Sequence, residues 1–137
     1  MSDRIKLVTW NVNGIRASAK KGLNEFIREV KPDILCLQEV KASVDQCEEP
    51  LRKLGYANSY WSSAVRKGYS GVATFVHTEP KRVATGIDVH EYDSEGRFVI
   101  TEHGYFDLYN IYFPNGGSGD VRHHFKQKFL KDLNEHL

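Results

Sequence analysis

Ile34-Leu35-Cys36-Leu37 is an unbroken apolar run, fenced by Pro32-Asp33 before it and Gln38-Glu39 after it. Four apolar residues without polar alternation predict a strand covered on both faces, and Pro32 stops a helix from running into it. Upstream, Ile5-Lys6-Leu7-Val8-Thr9-Trp10 alternates and is rich in β-formers, then meets Asn11-Val12-Asn13-Gly14, whose asparagines and glycine favour a turn. Between the two, Leu23, Phe26, Ile27 and Val30 recur at helical spacing, which predicts a helix of about ten residues from Lys21. Strand, helix and strand in this order, with polar residues at the strand ends, are the signature of an α/β fold.

The pattern then changes. Val44 to Leu54 predicts a second helix closed at Gly55, a residue suited to a left-handed cap. Strands are expected at Tyr56–Ser62, Gly71–Val76, Val83–Ile87, Phe98–Glu102 and Phe106–Phe113, separated by turns at Lys67-Gly68, Glu79-Pro80 and Asp93-Ser94-Glu95-Gly96. From Asp120 onward, Val121, Phe125, Phe129, Leu130 and Leu133 fall on one stripe and predict an amphipathic helix. Neither an internal repeat nor a linker interrupts the 137 residues, so one domain or part of one is expected.

Composition excludes several classes. Hydrophobic residues at 40% and charged residues at 27% fit a globular chain rather than a disordered one. No stretch approaches the roughly 20 apolar residues of a membrane helix, and no signal-peptide pattern follows Met1, so an intracellular protein is expected, cytoplasmic in a prokaryote and nuclear in a eukaryote. Cys36 and Cys47 lack CxxC spacing and read as buried or incidental thiols. A net charge of +1 supplies no long-range pull toward nucleic acid, so any binding rests on local groups: Arg16 with Lys20 and Lys21, Arg66 with Lys67, or Lys126 with Lys128 and Lys131. Each group also reads as an ordinary solvated face.

Chemistry-bearing side chains gather at predicted strand ends. Asn11 and Asn13 follow one buried strand and Glu39 ends the next, where ligands collect in open α/β sheets. Two amides and a carboxylate are oxygen donors that suit Mg²⁺; they read equally as turn residues and a surface acid. Tyr112 and Asn115 stand at the end of another strand, as phosphate donors or as a core tyrosine and its turn. The glycines at 116, 117 and 119 lack the GxxxxGK[ST] pattern, no GxSxG elbow occurs, and the six histidines, including the His123-His124 pair, show no ligand spacing.

Five segments occur together and in order: Thr9-Trp10-Asn11-Val12-Asn13-Gly14-Ile15-Arg16, Pro32 to Glu39, Lys67-Gly68-Tyr69-Ser70-Gly71-Val72-Ala73, Glu95-Gly96-Arg97 and Tyr112-Phe113-Pro114-Asn115. Together they closely resemble the exonuclease III and abasic-site endonuclease family, over essentially the whole chain. The resemblance implies the N-terminal half of the four-layer α/β sandwich of the endonuclease/exonuclease/phosphatase superfamily. It implies a Mg²⁺-dependent phosphodiesterase, with Mn²⁺ as substitute, that acts on double-stranded DNA, cuts 5′ to abasic sites and removes nucleotides from 3′ ends. Under this analogy Glu39, Asn11 and Tyr112 are catalytic, Glu39, Asn11 and Asn13 surround the metal, and Arg16, Lys41, Gly68, Tyr69, Asn115 and Arg122 contact DNA. Asn13 stands where some relatives carry Asp. Ser118 departs from relatives that place a bulky basic residue there to enter the duplex.

Two family segments, Gly-Asp-x-Asn and Ser-Asp-His, do not occur in this sequence. Relatives place the water-activating Asp and an Asp-His pair there, in a second half that is also expected to supply the second sheet. Residues 1–137 are therefore expected to form one incomplete domain, inactive alone. Without that half, Val72–Val76 and Leu108–Tyr112 would have one face in water. At roughly 1.5–3 kcal/mol for each uncovered side chain, about ten of them would outweigh a typical stability of about 5–15 kcal/mol. A non-catalytic DNA-binding or complementing fragment, and a phosphatase or sphingomyelinase of the same fold, are the alternatives.

Overall fold

A computed structural model describes residues 4–115 and 119–137; Ser118 lies outside them. The apolar run forms β2 (Ile34–Gln38), an interior strand of a four-stranded sheet. It pairs in parallel with β1 (Leu7–Asn11) and antiparallel with β4 (Val72–Val76), and β4 pairs antiparallel with β3 (Asn58–Ser62). Alternation along β2 divides its side chains between two layers. Leu35 and Leu37 face the helices with Ile15, Leu23, Tyr56 and Phe75, whereas Ile34 and Cys36 face the other way with Val76, Tyr60, Phe106 and Leu108.

Two helical segments precede β2. The predicted helix is α2 (Leu23–Val30), which ends at Lys31 in the left-handed region, one residue before Pro32. An additional turn, α1 (Ile15–Ala19), stands where the sequence predicted only a loop. Its cause is tertiary: Ile15 is fully buried and its N–H donates to the Val40 carbonyl at 3.0 Å. The predicted Val44–Leu54 helix is divided into a 3₁₀ turn (Val44–Gln46) and α3 (Glu49–Lys53). Pro50, which has no N–H, fits the first turn of α3 and could not sit within a continuous helix. The left-handed cap begins on Leu54 itself, at φ 50°.

The remaining strands, β5 (Arg82–Ala84), β6 (Phe98–Glu102) and β7 (Asp107–Ile111), form an antiparallel three-stranded sheet in that order. The strand expected at Val83–Ile87 is cut short because the Ile87 and Val89 N–H groups donate to the Asp93 carboxylate at 3.1 and 3.2 Å. That carboxylate ends the unanticipated turn α4 (His90–Asp93). Helix α5 (Asp120–His136) buries Phe129 and Leu133 against Tyr92, Phe98 and Ile100. Its stripe is narrower than predicted, since Val121 is 81% exposed and Leu130 is 38% exposed.

The two sheets pack face to face, with β6 and β7 across β4 and β7 against β2. All five residues of β4 are buried, so the expectation that one face of Val72–Val76 would lie in water is corrected. So is the expectation that a second half of the chain supplies the second sheet, because three of its strands are present here. Helices, sheet, sheet and helices make four layers. Asn110 joins the sheets: its amide N–H₂ donates to the Ala73 carbonyl and the Thr74 hydroxyl, both at 3.0 Å, and its oxygen accepts from Gln38 at 2.8 Å. This bond set fixes β7 against β2 and β4, two residues before Tyr112.

Candidate active site

Where β1 and β2 end, the chain turns through conformations that L-residues rarely adopt. Asn13 and Gly14 have φ of 47° and 101°, and Glu39 and Lys41 have φ of 56° and 54°. The neighbouring segment adds Gly68, Ser70 and Gly71 at 73°, 55° and 90°. Non-glycine residues in this region persist only where surroundings enforce it, and here main-chain bonds do so. The Gly14 N–H donates to the Glu39 carbonyl at 2.7 Å, the Val40 N–H to Gly71 at 3.1 Å and the Lys41 N–H to Ser70 at 2.8 Å. Glu39 is thereby lifted off the ladder and its carboxylate placed at the rim.

Its contacts gather four of the predicted residues. The Tyr112 hydroxyl donates to Glu39 Oε1 at 2.8 Å and the Asn11 amide donates to the same oxygen at 3.4 Å. The Lys41 ammonium lies 3.3 Å from Glu39 Oε2 and donates to Asn13 Oδ1 at 2.6 Å. Asn11 Oδ1 accepts from the Asn13 N–H at 3.0 Å. Partial burial pushes the Glu39 carboxyl up, but the hydrogen bonds from Tyr112, Asn11 and Lys41 together with the charge of Lys41 outweigh it and hold the group below its ordinary value. Burial first, then the bond to the Glu39 carboxylate and its charge, push the Tyr112 phenol up to about 12. Carboxylate and phenol thus stand charged and neutral at neutral pH.

The same arrangement meets the chemistry of a hard cation. Oxygens of Glu39 and Asn13 already converge on one positive charge, the Lys41 ammonium. Among the described residues no group of three or more His, Cys, Asp and Glu is placed to hold a metal. A carboxylate with amide oxygens and water suits Mg²⁺, which keeps several waters, and not zinc.

The predicted DNA-contacting residues spread outward from this corner. Arg16 is exposed on α1 and donates to the Lys41 carbonyl at 3.3 Å. Tyr112, Asn115, Arg122 and Tyr69 share an open cleft of about 840 Å³, while Gly68 lies on the loop lining its neighbour. The Arg122 guanidinium covers the Phe125 ring at 4.6 Å. Of the basic groups, Lys128 is engaged by Glu91 and Asp132, so that part of the Lys126 cluster belongs to α4 and α5 packing.

Three residues at or behind the site were given no role by sequence reasoning: His90 lines the cleft, Arg97 closes its floor, and Asn110 carries the inter-sheet joint. Arg66, which the sequence offered with Lys67 as a basic group, lines the cleft as well. The signal for Arg97 was an arginine directly before the apolar run Phe98-Val99-Ile100, and for Asn110 an amide inside Leu108-Tyr109-Asn110-Ile111.

Comparison with known proteins extends this picture. DNA repair nuclease APEX1 of Danio rerio is 38% identical over 135 residues, covering 97% of this chain and 44% of the relative. Exodeoxyribonuclease of Bacillus subtilis (strain 168) is 38% identical over 130 residues, covering 94% of this chain and 50% of the relative. An AP endonuclease from Archaeoglobus fulgidus superposes with a TM-score of 0.84 at 31% identity, over 98% of this chain and 51% of that one. A 3′ phosphatase from Neisseria bound to a product DNA hairpin gives 0.82 at 26% identity, over 96% and 51%. The chain spans about half the length of the curated relatives it matches. Residues 8–136 match the endonuclease/exonuclease/phosphatase family model, and on that match and these relatives the chain belongs to this family.

Proposed function

We propose that this chain carries the metal-binding and phosphate-orienting part of a Mg²⁺-dependent DNA-repair phosphodiesterase that cuts 5′ to abasic sites and trims 3′ ends. One observation carries the reading: the Tyr112 hydroxyl and the Glu39 carboxylate, 73 residues apart and just past the ends of strands of different sheets, meet at 2.8 Å. The neighbouring Asn11, Asn13 and Lys41 complete a cluster of hard oxygens and hydrogen-bond donors at the mouth of a cleft lined by arginines.

In this proposal Glu39 holds the ion, with Asn11 and Asn13 beside it. Bound Mg²⁺ supplies charge stabilisation for the phosphoryl oxygens. Tyr112, kept protonated, donates its hydrogen bond to a phosphate oxygen in place of Glu39. Lys41, Arg16, Gly68, Tyr69, Asn115 and Arg122 bind backbone phosphates of the duplex, which orients the scissile bond without reading sequence. Such pre-set donors act where charge develops, and each is worth far more there than in water.

The full-length protein should incise an abasic-site duplex in Mg²⁺ and lose that activity in EDTA. A metal-independent activity, or none on this substrate or on a 3′-phosphorylated duplex, overturns the reading. A further proposal concerns the chain alone. Leu7, Phe113 and Leu130 are exposed, at 45%, 46% and 38%, and the sequence holds no Gly-Asp-x-Asn or Ser-Asp-His segment. We infer that residues 1–137 cut DNA only when joined or added to the remaining length of the relatives. Cleavage by the isolated chain would remove this proposal while leaving the first intact.

A further inference from the structure

Arg97 is the largest fully buried side chain among the described residues, with 1% of its surface exposed. An arginine in that position needs every donor answered, because an unpaired buried charge is costly. Three side-chain bonds are formed. Nε donates to Glu95 Oε1 at 3.0 Å, Nη2 donates to the Tyr69 hydroxyl at 3.1 Å, and Nη1 donates to the Tyr112 carbonyl at 3.0 Å. The Tyr112 N–H returns a bond to the Arg97 carbonyl at 3.0 Å, so this residue grips Tyr112 from both its main chain and its side chain. The guanidinium also lies 5.1 Å from the centre of the Tyr112 ring, and the Tyr69 hydroxyl continues to Glu95 Oε2 at 3.3 Å.

Two tyrosines that line one cleft are therefore referred to a single planar fork beneath them. Free tyrosines at a strand end and in a glycine-rich loop would move independently; here their separation is set by one guanidinium. Lysine cannot reproduce that geometry, since its point charge offers no fixed fork. We propose that Arg97 is a positioning residue: it holds Tyr112 and Tyr69 at a fixed spacing, backed by Glu95, so that both phenols meet the same substrate strand, and it does not itself touch DNA.

This inference rests on the proposed nuclease reading, and the experiment separates the two. In the full-length protein, Arg97→Lys should lower kcat by roughly 10- to 100-fold while KM changes by less than about threefold, the signature of misplaced reacting groups. In Arg97→Gln, which removes the charge, the salt dependence of DNA binding should keep its slope; a direct phosphate contact would reduce that slope by about one unit and overturn the assignment. In a Tyr112→Phe background, Arg97→Lys should cost less than about threefold more, because coupled residues fail additivity, whereas fully multiplying losses would count against it. With 3-fluorotyrosine incorporated, the ¹⁹F resonance that Tyr112→Phe deletes should shift or broaden in Arg97→Lys without any substrate. An unchanged resonance overturns the positioning role even if the protein proves not to be a nuclease. Should Arg97→Lys fold poorly, Glu95→Gln, which keeps shape and removes only the charge behind the fork, is expected to show the same resonance shift and kcat loss at smaller size; an unaltered signal and rate there overturns the proposal too.

Discussion

Among the described residues stand two triads of tyrosine, carboxylate and lysine. In one, Tyr112 donates to Glu39 at 2.8 Å and Lys41 lies 3.3 Å from the same carboxylate. In the other, Tyr92 donates to Asp132 at 2.6 Å and Lys128 lies 3.0 Å from it. Both phenols are pushed up to about 12, by burial first and by the carboxylate second, and both carboxyls are held below their ordinary value. By composition and titration alone they are twins. Their settings differ: Lys128 and Asp132 are four residues apart on α5, with ordinary helical backbone, whereas Glu39 and Lys41 stand on left-handed residues where two sheets converge. Among the described residues, asparagine side chains join only the first triad, the Asn11 N–H₂ on Glu39 and the Asn13 oxygen on Lys41. A charged triad is therefore also packing chemistry, and the strand ends with their enforced backbone are what set the candidate site apart.

The sharpest way to break that contrast is to remove each carboxylate. Glu39→Ala should lower kcat/KM for abasic-site incision by about 10³-fold or more, with Mg²⁺ dependence weakened, while Asp132→Ala stays within about twofold of wild type. Steady-state incision over a Mg²⁺ titration measures both, and equal losses would erase the distinction. The phenols follow in size. Tyr112→Phe should cost about 10²-fold in kcat, and Tyr92→Phe should leave kcat alone while lowering stability by about 1 kcal/mol in urea unfolding.

A third prediction addresses the backbone. A Cβ on Gly71 would lie 2.8 Å from Val40 Cγ2, at φ of 90°, beside the bond that carries Val40. Gly71→Ala should destabilise the fold by about 1–3 kcal/mol and lower activity with it, because Val40 separates Glu39 from Lys41. Gly55→Ala is the control: nothing lies within 4 Å of its Cβ, so only the strain of φ 83° is felt. If both variants behave alike, the crowding at the Glu39 turn carries no functional weight.

How far the sequence revealed this site follows from the range of the forces involved. β2 and α2 were legible because local periodicity and Pro32 dictate them. Glu39, Asn11 and Tyr112 were singled out as strand-end residues and through five family segments, and the 2.8 Å contact brings Glu39 and Tyr112 to one corner. Hidden were features made by distant partners: α1, which exists because Ile15 docks on Val40, and the buried roles of Arg97 and Asn110. The second sheet was assigned to absent sequence, although strands were expected at Phe98–Glu102 and Phe106–Phe113, where β6 and the slightly shorter β7 stand. Alternation identified those strands, but nothing local says which sheet a strand joins.

The smallest expected effect concerns pH and tests the twin chemistry directly. Tyr92 is pushed up to about 12, whereas an unfolded tyrosine ionises near about 10. A raised folded value means that the native state holds the proton more tightly. The resulting stabilisation is complete below about pH 10 and is lost as pH rises through about 12. Wild-type protein should therefore lose stability in urea across that alkaline window, and Tyr92→Phe should flatten part of the decline. Phenolate absorbance should show late-ionising groups, and Asp132→Asn, which keeps an acceptor but removes the charge, should bring one of them forward. Glu39→Gln should do the same for a different phenol, so the double variant should advance two. If only one advances, the two triads are not electrostatic equivalents, and the special character of the Glu39 corner includes its charges as well as its backbone.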